Sequence, residues 1–314
     1  MPEFFHERKD AKTLIETIAA DTGLSRTLIE KDYWIMHCLW GLQQLDLSFE
    51  MKGGTSLSKG WAVIERFSED IDIRFDPPPV LNLKGDKPAH IKARLDFYDG
   101  LAKKMKIPGV TVIRNTDYDD AKAQNGGISL RYKPLFAALP GLKPEVLLEA
   151  GFDKTAPNEP CDFSSWALDR VLKAGLDVTD NRAQAVKCFN PEYTFVDKLQ
   201  TICRRFRQHR DRHDPEKDRP RLFMRHYYDL YMLLGVERVA KFIGSAEYEA
   251  YKKQKIKGTD AAEFETREAF MISQAETRAL FAKEFELSMG TLLFSPGLKF
   301  APVIEKIQSC SSKF

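Results

Sequence analysis

Two aspartates one residue apart, in the segment DIDIRF (70–75), have the spacing expected of a metal-binding pair. Side chains alternate along a strand, so Asp70 and Asp72 would share one face while Ile71 points into the core. Two carboxylates held so close repel each other without a cation, and their hard oxygen atoms suit Mg²⁺ or Mn²⁺. Two such ions could activate an attacking oxygen and stabilise a leaving pyrophosphate. The pair therefore indicates metal-dependent chemistry on phosphates.

A glycine-rich turn, KGGTSLSKGW (52–61), precedes the aspartates. Gly53 and Gly54 would let the main chain approach a triphosphate closely, and a helix beginning near Ser56 would direct its free amides at the anion. Thr55 and Ser56 add hydroxyl donors. The turn is not a Walker A loop, because the Gly-Lys-Ser/Thr ending is missing at the required spacing.

Each motif alone has a plainer interpretation. A glycine turn capped by Thr or Ser is common in proteins of every kind, and an Asp-x-Asp pair can be an exposed acidic edge of a sheet. The succession of strand, glycine turn, helix and Asp-x-Asp strand in one short stretch is much more specific than either part. We therefore treat the two motifs as one nucleotide and metal site.

The elements that must position this site predict an α+β fold. Apolar spacing predicts helices through Leu42, a strand at residues 49–53 and a helix over residues 57–67. The run 125–127, Asn-Gly-Gly, predicts a turn between two later strands. Those strands and one more are predicted at Val110–Arg114, Ile128–Tyr132 and Glu145–Ala150.

The chain of 314 residues exceeds the usual size of one hydrophobic core, so two units are expected. Residues 1–160 would form the α+β core with its N-terminal helices. Residues 161–190 are rich in turn formers and would form a linker that could add a strand at Ala185–Phe189. Residues 191–314 show helical spacing and would form a helical domain.

Composition restricts the class of protein. Hydrophobic residues make up 43% and charged residues 30%, which argues against extensive disorder. No apolar run is long enough to cross a bilayer and the first residues do not resemble a signal peptide, so we expect a cytoplasmic protein that uses no membrane. The cysteines lack a CxxC pair and are expected to be reduced packing residues: Cys38, Cys161, Cys188, Cys203 and Cys310.

A succession of motifs along most of the chain resembles the AbiEii/AbiGii toxin family of nucleotidyltransferases, which includes MenT-like toxins and belongs to the polymerase-β-like superfamily. The motifs occur in the family's order: EKDYW (30–34), KGGTSLSKGW (52–61), ERFSEDIDI (65–73), FVDKLQTICRRF (195–206) and YYDLYML (227–233). The resemblance implies a polymerase-β-like core, with a mixed sheet flanked by helices, and a C-terminal helical domain.

The resemblance also implies an activity and partners. Members of the family transfer a nucleotide from an NTP, typically as the toxin of a toxin–antitoxin pair, and related proteins modify the acceptor ends of tRNA. The expected function is therefore transfer of NMP from an NTP to RNA, with tRNA as the expected acceptor, with release of pyrophosphate. A cognate antitoxin would be a partner, and Mg²⁺ or Mn²⁺ the cofactor.

Residues are carried over from the family where the motifs match. Gly54, Thr55 and Ser56 match its phosphate-binding turn, and Asp70 and Asp72 match its metal-binding pair. Two later essential positions match as well, at Lys198 and Asp229. Lys198 could be a cation for the triphosphate, and Asp229 could position it or help to deprotonate the acceptor. Either residue could instead be an ordinary charge on a helix surface.

A third carboxylate is generally found in the superfamily on a neighbouring strand. Glu149 is the candidate here, followed by Asp153. Lys52 and Arg74 flank the turn and the aspartates, where each could contact phosphate or be a solvated charge at a strand end.

Ser68 resembles a serine that antitoxins phosphorylate in some related toxins. A phosphate there would repel the triphosphate and compete for the metal.

A basic segment, RRFRQHRDRH (204–213), follows the Lys198 helix directly. Its arginines could guide an RNA backbone, or they could belong to a charged loop, since acids interleave with them. His209 and His213 lack a third ligand, so a zinc site is not expected. The candidate RNA contacts are Arg204, Arg205, Arg207 and Arg210.

Two other functions fit part of the pattern. The same cleft could transfer the nucleotide to a protein hydroxyl, because the chemistry at phosphorus does not depend on the kind of acceptor. The chain could also be a module that binds RNA or a partner without catalysis, although the intact aspartates argue against loss of activity.

Overall fold

The computed structural model describes residues 2–75, 81, 85–152, 156–211, 218–294 and 297–314. The chain forms two compact units, and the first comprises Met1–Gly60 with Ser68–Phe189. The second comprises Trp61–Phe67 with Asn190–Phe314. The short segment Trp61–Phe67, which lies in the sequence between the glycine turn and the aspartates, thus belongs to the second unit. The site's two motifs both lie in the first unit.

The first unit is built on a seven-stranded mixed sheet of order β3-β4-β5-β2-β1-β7-β6. Strand β2 is parallel to β5, strand β1 is parallel to β7, and the other neighbours are antiparallel. The strands are β1 Phe49–Lys52, β2 Asp70–Phe75, β3 Val110–Asn115, β4 Asn125–Tyr132, β5 Val146–Gly151, β6 Asn158–Phe163 and β7 Ala183–Phe189.

Strand β2 begins and ends where the sequence predicts. Ile71 and Ile73 are fully buried, whereas Asp72 between them is half-buried on the opposite face. This alternation is what a strand with one apolar face requires. The predicted strands at 49–53, 110–114, 128–132 and 145–150 are confirmed as β1, β3, β4 and β5, with small differences at their ends.

The helices of the first unit include α2, which packs on strands β2, β5 and β7. These helices are α1 Ala11–Thr22, α2 Arg26–Gln43, α3 Gly53–Thr55, α4 Pro88–Lys104 and α5 Trp166–Lys173. Helix α3 continues as one π-helical turn, Ser56–Gly60. The prediction of a helix over residues 57–67 is therefore wrong beyond Gly60. Ala62 has a positive φ of 51°, and Phe67 donates its N–H to Leu292 within the second unit, so tertiary pairing overrides the apolar spacing.

The predicted turn at Asn125-Gly126-Gly127 is also wrong, since these residues begin strand β4. A Cβ on Gly126 would lie 2.6 Å from the Tyr98 ring, and one on Gly127 would lie 2.7 Å from Tyr118 Cβ. The glycines therefore permit close packing of two aromatic side chains on the strand and do not reverse the chain.

Residues 158–189 form β6, α5 and β7 of the first unit. The sequence predicts a linker for 161–190, with one added strand at Ala185–Phe189. That strand is confirmed within β7, but β6 and α5 are not evident from the sequence. The sheet pairs Cys161 with Val186 and Met51 with Cys188, so this segment extends the sheet beyond β1.

The secondary-structure elements named in the second unit are all helices. The predicted apolar face of α6 is confirmed, because Phe195, Leu199 and Ile202 are fully buried. The helices are α6 Pro191–Asp211, α7 Met224–Leu233, α8 Glu237–Phe242, α9 Ala246–Lys255, α10 Thr259–Thr266, α11 Glu268–Met271, α12 Ala275–Leu292 and α13 Phe300–Cys310.

The secondary structure is that of an α+β protein. All five cysteines are free, and all but Cys310 are buried, as expected of packing residues. Among the helices that the structure describes, none combines the length and the apolar character that a membrane crossing requires.

Candidate functional site

Asp70 and Asp72 lie at the start of β2 on one face of the sheet. Asp70 is buried and Asp72 is half-buried. Burial raises the pKa of Asp70, Lys143 opposes this, and the nearby carboxylates of Asp72 and Glu69 raise it further. Lys143 therefore only partly offsets the effects of burial and of the neighbouring carboxylates on the pKa of Asp70.

The glycine turn lies directly against the second aspartate. Gly53 has a φ of +79°, and a Cβ there would lie only 2.1 Å from Asp72 Oδ2. Any other side chain would be strained in its backbone and would displace the carboxylate. Gly53 therefore fixes the distance between the turn and the carboxylate.

The hydroxyl groups of the turn bind the main chain of the turn and of β2. Thr55 Oγ1 donates to the carbonyl oxygen of Asp70 at 2.5 Å, and Ser56 Oγ donates to that of Gly53 at 3.0 Å. Both side chains are buried. As placed they stabilise the turn, so contact with a nucleotide would come from main-chain amides of the turn, including that of Gly54.

The residues beside the carboxylates lie in register on neighbouring strands. Lys52 pairs with Asp72 across antiparallel β1, and Glu149 pairs with Asp72 across parallel β5. Lys52 and Glu149 are half-buried and share the face of Asp72. Within the described residues, no three side chains of His, Cys, Asp or Glu are gathered closely enough to hold a metal by themselves. Asp153, the second candidate for a third carboxylate, lies outside those residues.

Two carboxylates still fit a magnesium site of the kind that nucleotide enzymes use. Mg²⁺ is commonly bound through one or two carboxylates, with water and substrate phosphates completing its shell. Asp70 and Asp72 would supply that donor set, and a cation there would oppose the effect of burial, which raises the pKa of Asp70.

Arg74 does not lie at the surface. Its guanidinium is buried over Gly151, where a Cβ would lie 2.3 Å from Nη1, and Nη1 donates to the carbonyl oxygen of Ile73. This placement favours a structural role for Arg74 over the phosphate contact considered from the sequence.

The EKDYW motif on α2 holds three other segments of the first unit. Glu30 accepts hydrogen bonds from the amides of Leu135 and Phe136, at 2.6 and 3.2 Å. Asp32 pairs with Lys59 of the turn at 2.7 Å and accepts the N–H of Trp166. The sequence shows this motif only as part of the family pattern, because its scaffolding role depends on contacts that are distant along the chain.

Lys31 of the same motif reaches the aspartate strand. Its Nζ lies 2.7 Å from Glu69 Oε2 and 2.6 Å from the carbonyl oxygen of Lys143. Lys143 in turn places its Nζ 2.8 Å from Asp70 Oδ1. Sequence reasoning misses Lys143, because nothing in its local pattern distinguishes it from a solvated lysine.

The second unit contains a buried charge cluster around Asp229. Arg66 Nε and Nη2 donate to its two carboxylate oxygens at 2.6 and 2.8 Å, and Lys198 Nζ lies 2.7 Å from Oδ2. Burial raises the pKa of Asp229, but Arg66 and Lys198 outweigh it, so the pKa lies well below its ordinary value. An aspartate so stabilised as an anion is a poor base, which favours its role in positioning Lys198 over deprotonation of an acceptor.

Arg66 belongs to the ERFSEDIDI motif, but the motif alone does not distinguish it from its neighbours. Its segment is held to the end of α12 by main-chain bonds, from Phe67 N–H to Leu292 and from Phe294 N–H to Glu65. Arg66 is therefore held both by the main-chain bonds of its segment and by the carboxylate of Asp229.

His226 completes this cluster. Its Nδ1 lies 3.5 Å from Lys198 Nζ, at the outer limit of a hydrogen bond. Burial lowers the pKa of His226 well below its ordinary value, and the cations Lys198 and Arg225 lower it further. The ring is therefore neutral near pH 7, where Nδ1 can accept a hydrogen bond from the Lys198 ammonium.

The family model described as the nucleotidyl transferase AbiEii toxin of type IV toxin–antitoxin systems matches residues 34–306. The chain belongs to the AbiEii family. A search among curated proteins finds no significant match. The matched range spans the glycine turn, both aspartates, Lys198 and Asp229 and begins at the last residue of the EKDYW motif.

The basic segment of this AbiEii protein is partly neutralised. Arg207 Nη2 lies 3.0 Å from Asp260, and Arg210 Nη1 lies 2.7 Å from Glu263, both on α10. Arg205 Nη1 lies 3.4 Å from the side-chain oxygen of Gln208. Arg204 is exposed. Arg212 and His213 lie outside the described residues.

Ser68 is half-buried, two positions before Asp70, at the start of the segment that returns to the first unit. Its phosphorylation by an antitoxin remains a prediction.

Proposed function

We propose that this member of the AbiEii family is a metal-dependent nucleotidyltransferase toxin that transfers NMP from an NTP to RNA, with tRNA as the acceptor class. The observation that carries the proposal is the approach of Gly53 to the Asp72 carboxylate, so close that a Cβ would not fit, beside a buried Asp70 whose pKa is raised. The proposal includes the polymerase-β-like fold and the tRNA acceptor that the resemblance to the family implies.

In this reaction an acceptor hydroxyl oxygen forms a bond to the α-phosphorus of the NTP. The bond from that phosphorus to the bridging oxygen of the β-phosphate breaks, and pyrophosphate leaves with the electron pair while solvent takes the hydroxyl proton. A bound Mg²⁺ or Mn²⁺ would neutralise charge on the phosphates.

The protein's own residues would hold the reactants. Asp70 and Asp72 would bind the metal ion, with Glu149 as the candidate third carboxylate and Lys52 close to the phosphates. The amides of the turn at Gly53 and Gly54 would bind phosphate oxygens, as main-chain amides at a glycine turn can.

Lys198 and Asp229 enter the proposal through the family's motif order. Asp229 holds the Lys198 ammonium at 2.7 Å, so the proposed role of Lys198 is that of an oriented cation for a phosphate. Among the arginines of the basic segment that the structure describes, the exposed Arg204 has the surroundings that best suit an RNA contact.

The test is transfer of label. The purified protein is incubated with each α-labelled NTP in turn, with Mg²⁺ and total RNA, beside the Asp70→Asn variant. We expect a discrete labelled RNA with the wild type and none with the variant. Absence of label with every NTP would overturn the proposal, and a labelled band that survives ribonuclease would move the acceptor to a protein hydroxyl.

Toxicity separates catalysis from binding. If transfer causes growth arrest, expression of Asp70→Asn should be harmless. Growth arrest of unchanged strength would instead favour a module that binds RNA or a partner without catalysis.

A further inference from the structure

Lys143 is the cation paired with Asp70, and neither the family pattern nor the sequence assigns it a role. Its Nζ lies 2.8 Å from Asp70 Oδ1, and the ammonium also lies 5.3 Å from the centre of the Tyr118 ring. The Lys143 side chain is 31% exposed, whereas that of Asp70 is 11% exposed. The aspartate of the pair is thus largely buried, and the lysine is partly exposed to solvent.

The main chain of Lys143 is fixed at both of its polar groups. Its N–H donates to Glu69 Oε2 at 2.8 Å, and its carbonyl oxygen accepts from Lys31 Nζ at 2.6 Å. Lys31 and Glu69 are themselves paired at 2.7 Å, and Lys31 is fully buried. The main chain of Lys143 is therefore held beside Asp70, and only its flexible four-carbon side chain is free to change position.

The ammonium occupies Oδ1, one of the two oxygens of Asp70 that a metal could use. A divalent ion bound at Asp70 would repel the ammonium at this short distance, so the two cations compete for the carboxylate. An ammonium displaced from Asp70 would lie within a side chain's length of any phosphate bound there.

We propose that Lys143 is an exchangeable counter-ion, which neutralises Asp70 while no divalent cation is bound and pairs with the triphosphate when cation and nucleotide bind. This rests on the proposed function, because it takes Asp70 as a metal ligand and a nucleoside triphosphate as the substrate. It explains why a lysine is fixed beside a carboxylate that the reaction requires to bind metal.

The test measures Mn²⁺ binding by electron paramagnetic resonance, without turnover, for wild type and Lys143→Met. Removing the competing ammonium should tighten Mn²⁺ binding roughly two- to fivefold in the absence of nucleotide, on the scale of a partly exposed ion pair. With Mn²⁺ present, binding of a non-hydrolysable ATP analogue should weaken by a similar factor, because one phosphate contact is lost.

Two further variants make the measurement specific. Lys122→Met removes an exposed lysine that pairs with Asp86 at 2.6 Å, and it should leave both affinities unchanged. Lys143→Arg keeps the charge and should resemble the wild type in Mn²⁺ binding. Lys143→Gln serves if the methionine variant does not fold, which thermal unfolding would show.

Equal Mn²⁺ affinity for wild type and Lys143→Met would overturn the exchange. Tighter Mn²⁺ binding with unchanged affinity for the analogue would overturn the transfer to phosphate. If the wild type labels RNA but Lys143→Met shows neither effect, only this inference fails. If the protein neither binds Mn²⁺ nor labels any acceptor, the proposed function fails as well.

Discussion

Asp70 in the first unit and Asp229 in the second are both buried carboxylates, yet their surroundings have opposite effects. Asp229 receives a bidentate guanidinium and an ammonium, and its pKa falls. Asp70 has one ammonium against burial and two nearby carboxylates, and its pKa rises. Asp229 is fully paired within the protein, whereas Asp70 is the carboxylate that the proposed function assigns to an external cation. Strong pairing at one site and incomplete pairing at the other is the pattern expected of a structural anchor and a functional group.

The comparison predicts its largest effect on stability at Asp229. Asp229→Asn leaves Arg66 and Lys198 buried without their anion, which should reduce the free energy of unfolding by about 3–5 kcal/mol. Asp70→Asn removes a charge that burial disfavours and leaves only the partly exposed Lys143 without its partner, so it should leave that free energy unchanged or higher. Urea unfolding of the two variants measures both. Equal losses at the two positions would contradict the distinction between them.

Catalysis should respond strongly at Asp70, where stability does not. Asp70→Asn, although folded, should transfer label at least roughly a hundredfold more slowly, the scale of losing one preorganised contact to the transition state. Single-turnover labelling measures the rate. Glu149→Gln is the companion variant: a loss as large as that of Asp70→Asn would establish it as the third carboxylate, and an unchanged rate would remove it from the site.

The glycine turn provides a smaller and more local test. Gly53→Ala should lose about 1–2 kcal/mol from its positive φ, and its Cβ would also displace Asp72. Gly175 is the matched control, since it has a φ of +70° and a Cβ added there would meet no atom within 4 Å. Both variants should lose the stability that the positive φ costs an alanine, but only Gly53→Ala should lose nucleotide binding. Loss of binding by both would show that strain in general, and not Asp72, is responsible.

The dependence of stability on pH should differ in sign at the two carboxylates. The folded pKa of Asp229 lies below its unfolded value of about 3.9, so its contribution is complete above that pH and is lost as the pH falls through the folded pKa. The folded pKa of Asp70 is raised, so its contribution is complete below the unfolded pKa and is lost as the pH rises through the folded pKa.

Unfolding measured without divalent cations, from acidic to neutral pH, checks both signs. The stability difference between wild type and Asp229→Asn should shrink on acidification. As the pH rises, the stability of Asp70→Asn should increase relative to that of the wild type. Parallel curves for the two variants would refute the assignment of opposite environments.

The local parts of this comparison are predictable from the sequence. Strand β2 can be placed because Asp and Ile alternate within it, and the glycine turn because glycines let the main chain approach a triphosphate closely. The approach of Gly53 to the Asp72 carboxylate is visible only in the structure. The helix over 57–67 is wrong after Gly60, since pairing with Leu292 decides the path of that segment. Periodicity records which residues are apolar but not what they pack against.

The distant partners cannot be derived from one sequence. Arg66 and Asp229 meet across a long separation in the chain, and Lys143 reaches Asp70 only because Lys31 and Glu69 hold its main chain. Conversely, Arg207 and Arg210 suggest a basic surface in the sequence, but acids of α10 pair with both. Local composition shows the charges, and the fold decides which are neutralised.

Direct measurement of Mn²⁺ binding in the presence of a non-hydrolysable NTP analogue tests the central claim, that Asp70 and Asp72 hold a cation for a nucleotide. The proteins compared are wild type, Asp72→Asn and Asp86→Asn, the last being an aspartate that pairs with Lys122. We predict that wild type and Asp86→Asn bind Mn²⁺ alike, while Asp72→Asn binds it at least roughly tenfold more weakly. Wild-type affinity in Asp72→Asn would contradict the account.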